Sequence, residues 1–504
     1  MKRLYLYGPP ASGKSTLART LSRKYSLPYA DLDDVITKES GMPIPRIFAD
    51  KGEAAFRKME SEALRCVEAP IVALGGGTLL DAQNRAFAEN NGFVAVIDAD
   101  PDAIARRIEA SSGTRPLGNK LKERAAHYAS FPHHIGEDTR IIFPCRLEGT
   151  VKVPASKSHL HRLLTARFLA GEPLSSLLSA SEDECEDIVA TRRCLAAIGE
   201  AVKNGAHEAV LDCGESGSTL RFLAPVAAAL GLKASFIRRG RLAERPMMDF
   251  SQLKSGVNEL PGNVSSQFAT GLLFALPLLK GDSEIRFTSP LQSRGYVDMT
   301  LDVIRAFGIV VKETPHGFAI PGSQKYVLPA DSADLEPEGD WSAATFWLAA
   351  NALGHDIKVE GLKAPSRQPD STVPAFLSLI KEGKMVDVSG APDSYPALAV
   401  ACRAIGSKTV FTGTERLRLK ESDRLAAMEA VFASPTDVDS QNDHRIAMAS
   451  AIFATTLDSP VLIHGAGSVA KSYPAFWTHL AALSSATKKP KIPPCAVAAE
   501  YGII

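Results

Sequence analysis

Residues 8–16 read Gly8-Pro9-Pro10-Ala11-Ser12-Gly13-Lys14-Ser15-Thr16, the full pattern G-x-x-x-x-G-K-S. The apolar run 4–7 precedes the stretch, and Leu17 and Leu21 follow it at a helical spacing. This layout predicts a strand, a tight loop and a helix whose backbone N–H groups surround nucleotide phosphates. In such a loop the lysine reaches the outer phosphates and the serine can bind Mg²⁺. A glycine-rich turn with a chance lysine would not explain the flanking strand and helix, so the stretch predicts a nucleotide site.

Length and charge limit the kinds of protein that this chain can be. Its 504 residues are too many for one hydrophobic core, so two or three domains are expected. Lysine plus arginine and aspartate plus glutamate both number 57, so no overall charge attracts nucleic acid or an anionic membrane. No apolar run approaches the ~18 residues of a membrane span. We therefore expect small-molecule substrates and no nucleic-acid or membrane partner.

The N-terminus and the cysteines indicate the compartment. The chain leads directly into its first strand, without the pattern of a signal peptide. Its seven cysteines include no C-x-x-C pair, which favours reduced thiols over disulfides or a zinc site. The sequence therefore predicts a cytoplasmic location.

Residues 1–143 alternate strand and helix patterns, which is typical of a parallel sheet with helices on both faces. Asp31 and Asp33 follow at the end of a short strand, where we expect both side chains to point the same way at the ligand-binding edge of the sheet. One could hold Mg²⁺ through water and the other could bind a substrate hydroxyl; the alternative is a solvated strand end. Glycines 75–77 follow a buried strand and allow a small ligand to approach the backbone closely.

These motifs closely resemble those of shikimate kinase, in the same order. They are the loop at 8–16, D-x-D at 31–33, G-E-x-x-F-R at 52–57, G-G-G at 75–77, R-P-L at 115–117 and R-x-x-x-Y at 124–128. The resemblance implies that shikimate is held by Asp33, Arg57, Gly76, Gly77 and Arg124. It implies an ATP site at Gly8, Ala11, Ser12, Gly13, Lys14, Ser15, Thr16, Arg107 and Arg115.

The same resemblance assigns chemical roles. Mg²⁺ would be bound by Ser15 and Asp31, and Arg115 is the arginine of a lid over the phosphates. Lys14 and Arg115 would stabilise charge on the transferring phosphoryl group. Two features depart from the family: the stretch 115–124 is shorter than the usual lid, and the usual last strand and helix are missing after Tyr128. These departures leave open an alternative, a degenerate kinase-like module that binds nucleotide without turnover.

Basic residues recur at the starts of predicted helices throughout residues 144–487. Lys157 and Arg162 lie in a segment where Pro154 ends a strand and Ser156 or Ser158 can cap the next helix. Similar segments lie at 214–221, 244–247, 263–267, 293–298, 419–424, 442–445 and 470–474. Helix N-termini already favour anions. So many cations at such positions in a chain of zero net charge predict one anionic-ligand pocket built from distant segments, rather than scattered surface charge.

This series closely resembles 5-enolpyruvylshikimate-3-phosphate (EPSP) synthase. The matching motifs are S-K-S-x-x-x-R at 156–162, S-G-S-T-x-R at 216–221, E-R-P-M at 244–247, S-S-Q at 265–267, L-K-E-S-D-R-L at 419–425, N-D-H-R-x-A-M at 442–448 and A-K-S-Y-P at 470–474. The resemblance implies a two-lobed α/β fold of repeated β-α-β-α-β-β units, with ligands in the cleft. In the chain, this two-lobed fold would come after a P-loop parallel-sheet domain at 1–143.

The expected division of the second part follows from the same family. Lobe one would span about 155–325, lobe two about 144–154 plus 326–487, and a Pro/Lys-rich tail 488–504. The chain would cross between the lobes near Pro154 and in the region 320–330. The few residues around Pro144 that link the two parts suggest close packing.

Site residues also follow by motif. Shikimate 3-phosphate would be bound by Lys157, Ser158, Arg162, Ser265, Ser266, Gln267, Ser293, Asp393 and Lys420. Phosphoenolpyruvate would be bound by Lys157, Gly217, Arg245, Gln267, Arg424, Arg445 and Lys471. The catalytic groups would be Asp393, as the base for the attacking hydroxyl, and Glu421 with Lys157, which protonate the enolpyruvyl methylene. No metal is expected in this reaction.

Three features depart from the common synthase pattern: Arg416 and Glu215 lie where asparagine is frequent, and the interval 245–265 is short, as if part of lobe one were trimmed. A related specificity, transfer to a UDP-sugar, is disfavoured by the 156–162 motif and by the lack of a cysteine in a candidate catalytic loop. We therefore expect a bifunctional enzyme that phosphorylates shikimate and then adds the enolpyruvyl group.

Overall fold

The computed structural model describes residues 1–98, 100, 102, 104, 106, 118–179, 184–330 and 336–485. Within these ranges the chain forms a parallel-sheet domain followed by two lobes. Arg107, Arg115 and the predicted tail 488–504 lie outside the described residues. None of the described helices is both long and apolar enough to cross a membrane.

The N-terminal domain is built on a parallel sheet of five strands. In chain order they are β1 Arg3–Tyr7, β2 Tyr29–Asp31, β3 Ile71–Ala73, β4 Gly92–Ile97 and β5 His134–Ile135, and their spatial order is β2-β3-β1-β4-β5. The helices are α1 Lys14–Tyr25, α2 Leu32–Ser40, α3 Ile44–Cys66, α4 Ala82–Asn91 and α5 Gly118–Ala129. Residues Leu4 to Tyr7 and Ile71 to Ala73 are all buried, because helices cover both faces of the sheet.

The end of this domain differs from the expectation in one respect. The prediction that the last strand is missing is wrong, because His134–Ile135 pairs in parallel with Val96–Ile97. The next strand, β6 Thr139–Ile142, pairs instead with Val461–His464 near the end of the chain. After β5 the chain therefore passes directly into the second part of the protein.

Lobe one carries one complete unit of the predicted β-α-β-α-β-β type. Lobe one comes after β7 Arg146–Lys152. Its first elements, which precede the complete unit, are α6 Lys157–Leu169, α7 Leu174–Leu177, α8 Glu186–Lys203, β8 Glu208–Gly214, α9 Gly217–Ala229 and β9 Lys233–Arg238. The complete unit is β10 Gly256–Leu260, α10 Ser266–Ala275, β11 Ser283–Phe287, α11 Arg294–Ala306, β12 Lys312–Thr314 and β13 Gly317–Ile320. In the described chain β8 and β9 pair only with each other, which agrees with the short interval that follows them.

The described residues of lobe two form three small sheets. Its later elements are α12 Trp341–Ala352, β14 Asp356–Glu360, α13 Val373–Lys381, β15 Val386–Asp387, α14 Tyr395–Ala404, β16 Phe411–Thr412, α15 Arg424–Ala433, β17 Asp437–Asp439, α16 His444–Ala454, β18 Val461–His464, α17 Phe476–Leu483 and β19 Ser484–Ser485. The sheets are β14-β7-β19, β15-β16 and β17-β18-β6. Helices α12, α14 and α16 are almost wholly apolar and pack together in the core between these sheets.

The two crossings between lobes lie side by side. Ala155 forms an antiparallel bridge with Gly339, and the Asp340 N–H donates to the Pro154 carbonyl over 2.9 Å. The predicted crossing regions, near Pro154 and at 320–330, stay predictions. Tyr326, in the second of these regions, still packs in the core of lobe one and donates to the Phe274 carbonyl.

The N-terminal domain and lobe two share a hydrophobic core. Leu4, Leu6 and Leu21 of the first domain pack in one cluster with Phe143 and Leu462. The Tyr25 hydroxyl donates to the carbonyl of Ile141 over 2.8 Å, and the Lys2 N–H donates to that of Asp458 over 2.8 Å. The two parts are therefore joined by a close-packed apolar cluster and by backbone hydrogen bonds.

A partly buried group of one aspartate and two histidines lies at the same junction. The Asp437 carboxylate binds His133 Nδ1 through one oxygen and His464 Nε2 through the other, each over 2.6 Å. Burial raises the pKa of Asp437, but the bonds from His133 and His464 outweigh it and hold that pKa at about 2. The hydrogen bond to Asp437 in turn raises the pKa of His464. The junction is therefore electrostatic as well as apolar.

We predict that Leu462→Ala destabilises the whole protein by about 2–5 kcal/mol, because it opens a cavity in the shared core. Met385→Ala is the control, since Met385 is 65% exposed in the same lobe and should cost less than about 0.5 kcal/mol. Urea unfolding measures both. A cost below about 1 kcal/mol for Leu462→Ala would contradict a shared core.

We also predict that Asp437→Asn costs about 1–3 kcal/mol at pH 5 and less at pH 8.5. A carboxylate with a lowered pKa stabilises the fold above its unfolded pKa of ~3.9 and loses that effect as the pH falls towards 2. A histidine with a raised pKa stabilises the fold below ~6.5 and loses that effect as the pH rises through its folded pKa. The difference from wild type in urea unfolding should therefore be largest between about pH 4 and 6.5. Equal costs at pH 5 and 8.5 would refute this.

Candidate active sites

The phosphate-loop lysine is folded onto its own loop. Gly8 and Gly13 have φ of 134° and 99°, which lets the chain turn tightly between β1 and α1. The Lys14 Nζ donates to the carbonyls of Gly8 over 3.0 Å and Pro9 over 2.7 Å. Burial lowers the pKa of Lys14 to about 8, against the opposing effect of Asp33 and Asp31. The predicted strand, loop and helix are confirmed, with the ammonium group held inside the loop.

The two aspartates do not alternate along one strand as expected. Asp31 ends β2 and caps α2, accepting the Asp33 N–H over 3.0 Å, and Asp33 lies in the first turn of that helix. Both carboxylates nevertheless lie close enough to Lys14 to raise its pKa against the effect of burial. The expectation of a shared strand face is wrong, because Asp33 lies in the helix.

The glycines at 75–77 let three parts of the first site approach each other. A methyl group on Gly76 would lie 2.9 Å from Pro10 of the phosphate loop, and one on Gly77 would lie 2.8 Å from Arg57 Nη1. The Gly76 carbonyl accepts hydrogen bonds from Arg124 over 3.2 Å and from the Tyr128 hydroxyl over 2.6 Å. Arg57, Gly76, Gly77 and Arg124 therefore meet beside the phosphate loop, as predicted.

One buried residue of this site was not predicted. Glu60 is 1% exposed; it binds Arg57 Nη1 over 2.6 Å and accepts from the Thr78 hydroxyl over 2.5 Å. Its carboxylate fixes Arg57 against the glycines. The i,i+3 spacing of Arg57 and Glu60 on one helix was the available sequence signal, although such pairs are usually solvated.

The second site is a pocket between the two lobes. The predicted residues that line it are Lys157, Ser158, Arg162, Gly217, Arg245, Ser265, Ser266, Gln267, Ser293, Asp393, Lys420, Glu421, Arg424 and Arg445. Most come from the starts of helices: Ser156, Ser216, Ser265 and Asp443 cap α6, α9, α10 and α16. Capping fixes each helix N-terminus, so the side chains of the following turn converge on the cleft.

The lining has an excess of positive charge. It carries eight lysine and arginine side chains and three carboxylates, an excess of five positive charges. Burial lowers the pKa of both Arg162 and Arg221 to about 9, the direction expected for cations removed from water. Among the described residues, the buried Nε atoms of Arg221, Arg245 and Arg445 have no hydrogen-bond partner. A pocket of this kind is suited to a ligand with several anionic groups.

Arg424 joins the carboxylates of the lobe-two side. It binds Asp393 over 2.7 Å, Glu421 over 2.7 Å and Asp443 over 2.8 Å. Burial raises the pKa of Asp393, but Lys420, Arg445 and Arg424 outweigh it and hold that pKa well below its usual value. Burial likewise raises the pKa of Glu421, and Arg424, Arg245 and His444 reverse the effect. Both candidate catalytic carboxylates are therefore ionised.

Lys157 lies on the opposite side of the pocket. Its Nζ binds Asp187 over 2.8 Å, a partner that the sequence did not indicate. Burial lowers the pKa of Lys157, but Asp187 more than offsets this, so the pKa is raised and the ammonium keeps its charge. Asp187 lies in the first turn of α8, 30 residues from Lys157, so only the tertiary fold joins them.

Gly217 provides space beside three polar side chains. A methyl group there would lie 2.7 Å from Arg221 Nη1 and 3.2 Å from Arg245 Nη1. Arg221 donates to the Gln267 side chain over 2.7 Å, which aligns it along the pocket. Arg416, one of the departures, reaches from lobe two to the Ser293 hydroxyl of lobe one over 2.8 Å.

Lys471 is the predicted anion-binding residue that the structure places elsewhere. It is not part of the pocket lining; its Nζ binds Glu215 over 2.7 Å and donates to the Asn442 carbonyl over 2.8 Å. The predicted contact of Lys471 with phosphoenolpyruvate stays a prediction, and in this structure Glu215 balances the charge of Lys471.

Comparison with known proteins identifies both parts. Residues 10–133 match the family model of shikimate kinase. Residues 249–433 and 428–480 match that of EPSP synthase (3-phosphoshikimate 1-carboxyvinyltransferase). A 3-phosphoshikimate 1-carboxyvinyltransferase of Clostridium perfringens is 35% identical over 422 residues, which cover 68% of this chain and 98% of that protein. The chain belongs to the EPSP synthase family. Its N-terminal part matches the shikimate kinase model over residues 10–133 alone.

Two solved structures are similar to parts of the chain. An EPSP synthase structure from Acinetobacter baumannii superimposes with a TM-score of 0.52 at 23% identity, covering 69% of this chain and 98% of that one. This likeness shows the EPSP synthase fold. A shikimate kinase structure from Aquifex aeolicus is 33% identical and covers 27% of this chain and 86% of that one, with a TM-score of 0.25. The assignment of the N-terminal domain rests on its family model and its motifs rather than on that superposition.

We predict that Glu60→Gln lowers the free energy of unfolding by about 1–3 kcal/mol, because Arg57 and Thr78 lose their buried ionised acceptor. Glu53→Gln is the matched control: it removes a carboxylate from the same arginine, but Glu53 is largely exposed, so the cost should stay within about 0.5 kcal/mol. Urea unfolding measures both. Equal costs for the two variants would show that the buried contact does not fix Arg57.

Proposed function

We propose that this chain phosphorylates shikimate at its 3-hydroxyl with ATP. It would then transfer the enolpyruvyl group of phosphoenolpyruvate to the 5-hydroxyl of the product, releasing phosphate. The observation that carries the proposal is the cleft with five excess positive charges and partnerless guanidinium Nε atoms, beside an ionised Asp393. The family of each part supports it, and the product of the first reaction is the substrate of the second.

In the kinase half, the proposed roles follow the grouping of residues around the phosphate loop. Residues 8–16 would bind the ATP phosphates, together with Arg107 and Arg115. Asp33 would accept the hydrogen bond of the attacking hydroxyl, while Arg57, Arg124 and the backbone at Gly76 and Gly77 orient the ring. Lys14 would leave the loop carbonyls that it now binds and stabilise the negative charge on the transferring phosphoryl group.

Ser15 and Asp31 would hold Mg²⁺. Hydroxyl and carboxylate oxygens near the phosphate loop are ligands that this ion prefers, and Mg²⁺ characteristically uses few protein ligands together with substrate phosphates. When bound, the ion supplies charge neutralisation at the phosphate oxygens. Asp31 already accepts the Asp33 N–H, which fixes its orientation.

In the synthase half, the attacking hydroxyl oxygen would bond to the carbon of phosphoenolpyruvate that carries the phosphate ester. Asp393 would take the hydroxyl proton, and a proton would be added to the methylene carbon. Elimination then breaks the bond to phosphate and removes a proton from the same methyl group. Lys157 carries a proton and Glu421 is ionised, so Lys157 is suited to give the proton and Glu421 to receive it.

The charge network also suggests how Asp393 becomes basic enough. Lys420 lies 3.0 Å and Arg424 2.7 Å from the same oxygen of Asp393, which makes it a weak base. Phosphate and carboxylate groups of the substrates would compete for these cations and for Arg445. Substrate binding would therefore raise the pKa of Asp393 at the time when a base is needed.

The remaining predictions about the chain are also proposals. We propose a kinase domain at 1–143 and a synthase domain at 144–487, although β6, at 139–142, already pairs with lobe two. We propose a cytoplasmic location on the basis of the cysteine pattern. The alternative for the first domain, a nucleotide-binding module without turnover, is separated by the experiment below.

We expect the purified chain to release ADP only with shikimate, and phosphate only when phosphoenolpyruvate is then added. Lys14→Ala should abolish the first release and leave phosphate release from supplied shikimate 3-phosphate unchanged. Asp393→Asn should leave ADP release unchanged and lower the rate of phosphate release by about 10²–10⁴-fold. Lys38→Ala, an exposed lysine on α2, is the control for the first variant and should change neither rate.

Three outcomes would decide between the alternatives. Wild-type turnover only with ready-made shikimate 3-phosphate would identify the first domain as a nucleotide-binding module. Phosphate release with a UDP-sugar in place of shikimate 3-phosphate would overturn the specificity. Full activity of Asp393→Asn would remove Asp393 from the mechanism.

A further inference from the structure

Glu215 bridges the two lobes. It follows β8 of lobe one and precedes Ser216, the residue that caps α9. One carboxylate oxygen binds Lys471 Nζ over 2.7 Å, and the other accepts from Asn442 Nδ2 over 3.3 Å. Both partners belong to lobe two, so this carboxylate ties the lobes together across the cleft.

Lys471 is held at the margin of the anion pocket. It is 7% exposed, and besides Glu215 it donates to the Asn442 carbonyl over 2.8 Å. Asn442 has a left-handed φ of 56° and directly precedes Asp443, which caps α16 and binds Arg424. Lys471 is therefore anchored to the same segment that positions the pocket cations. Its ammonium group has three N–H donors, and Glu215 and Asn442 use two of them.

We propose that Glu215 is a built-in competitor of the anionic substrate for Lys471. Accepting the proposed function, that substrate is phosphoenolpyruvate. The anionic groups of that substrate and the Glu215 carboxylate repel each other when both bind one ammonium group. Binding of the substrate anion to Lys471 therefore weakens the ion pair of Lys471 with Glu215, which links the lobes. Glu215 thus weakens the affinity for the anion and is a specificity-determining residue of the cleft, not a catalytic one.

Glu215→Gln tests this in the full-length chain. We expect the KM for phosphoenolpyruvate at saturating shikimate 3-phosphate to fall about tenfold, with kcat within about threefold of wild type, because one competing charge is removed. Inorganic phosphate, titrated calorimetrically without turnover, should bind about tenfold more tightly. Glu208→Gln is the matched control: it removes one carboxylate from β8, but Glu208 is exposed and pairs within its own lobe with Lys233 over 3.4 Å. It should change neither constant more than twofold.

A second comparison ties the effect to Lys471. In a Lys471→Gln background, Glu215→Gln should produce no gain in phosphate binding, because the ammonium group for which Glu215 and phosphate compete is absent. Glu215→Asn should reproduce the effect of Glu215→Gln if the first variant folds poorly. The proposal is overturned by an unchanged or weaker phosphate affinity in both variants, by the same gain in Glu208→Gln, or by a gain that persists without Lys471.

The two readouts keep this proposal separate from the proposed function. If the wild-type chain releases no phosphate from phosphoenolpyruvate, the proposed function fails, while the phosphate titration still decides whether Glu215 competes for Lys471. If turnover is normal and the titration shows no gain, the competitor proposal alone fails.

Discussion

The synthase cleft depends on one buried guanidinium. Arg424 is 1% exposed and binds carboxylates from three separate segments, those of Asp393, Glu421 and Asp443. Removing one partner of such a group leaves an uncompensated buried charge, which costs several kcal/mol, so none of the segments can move independently. Asp443 also accepts the Arg445 N–H over 2.9 Å and thereby fixes the start of α16. The lobe-two half of the site is therefore a single connected network.

Lobe one supplies the opposite arrangement, cations placed where helices begin. Lys157 is the first residue of α6, and Gly217 opens α9, with Arg221 one turn further on. Helix N-termini carry partial positive charge, so cations there are unfavourable unless an anion joins them. The lowered pKa values of Arg162 and Arg221 record the cost of burying such cations. An anionic ligand relieves this repulsion, so its binding is favoured by the same cations whose burial is unfavourable without it.

The features that could be predicted from sequence are local ones. The phosphate loop, the serine caps and the cations after them follow from short motifs, and the structure brings nearly all of these residues to two sites. The partners that fix them were not predictable. Lys157 and Asp187 are 30 residues apart, and Lys471 and Glu215 are 256 apart, so no periodicity connects them. The wrong expectation about Asp31 and Asp33 has a local cause, because Asp31 caps α2 instead of extending its strand.

The N-terminal domain and lobe two are joined by a shared hydrophobic core as well as by the chain that links them. Ile141 packs with the first domain while its neighbour Ile142 packs inside lobe two, so one strand contributes alternate faces to both cores. Dividing the chain near residue 143 would consequently expose an apolar surface on each of the two parts. Replacing either half would therefore require a partner with a matching apolar surface at this interface.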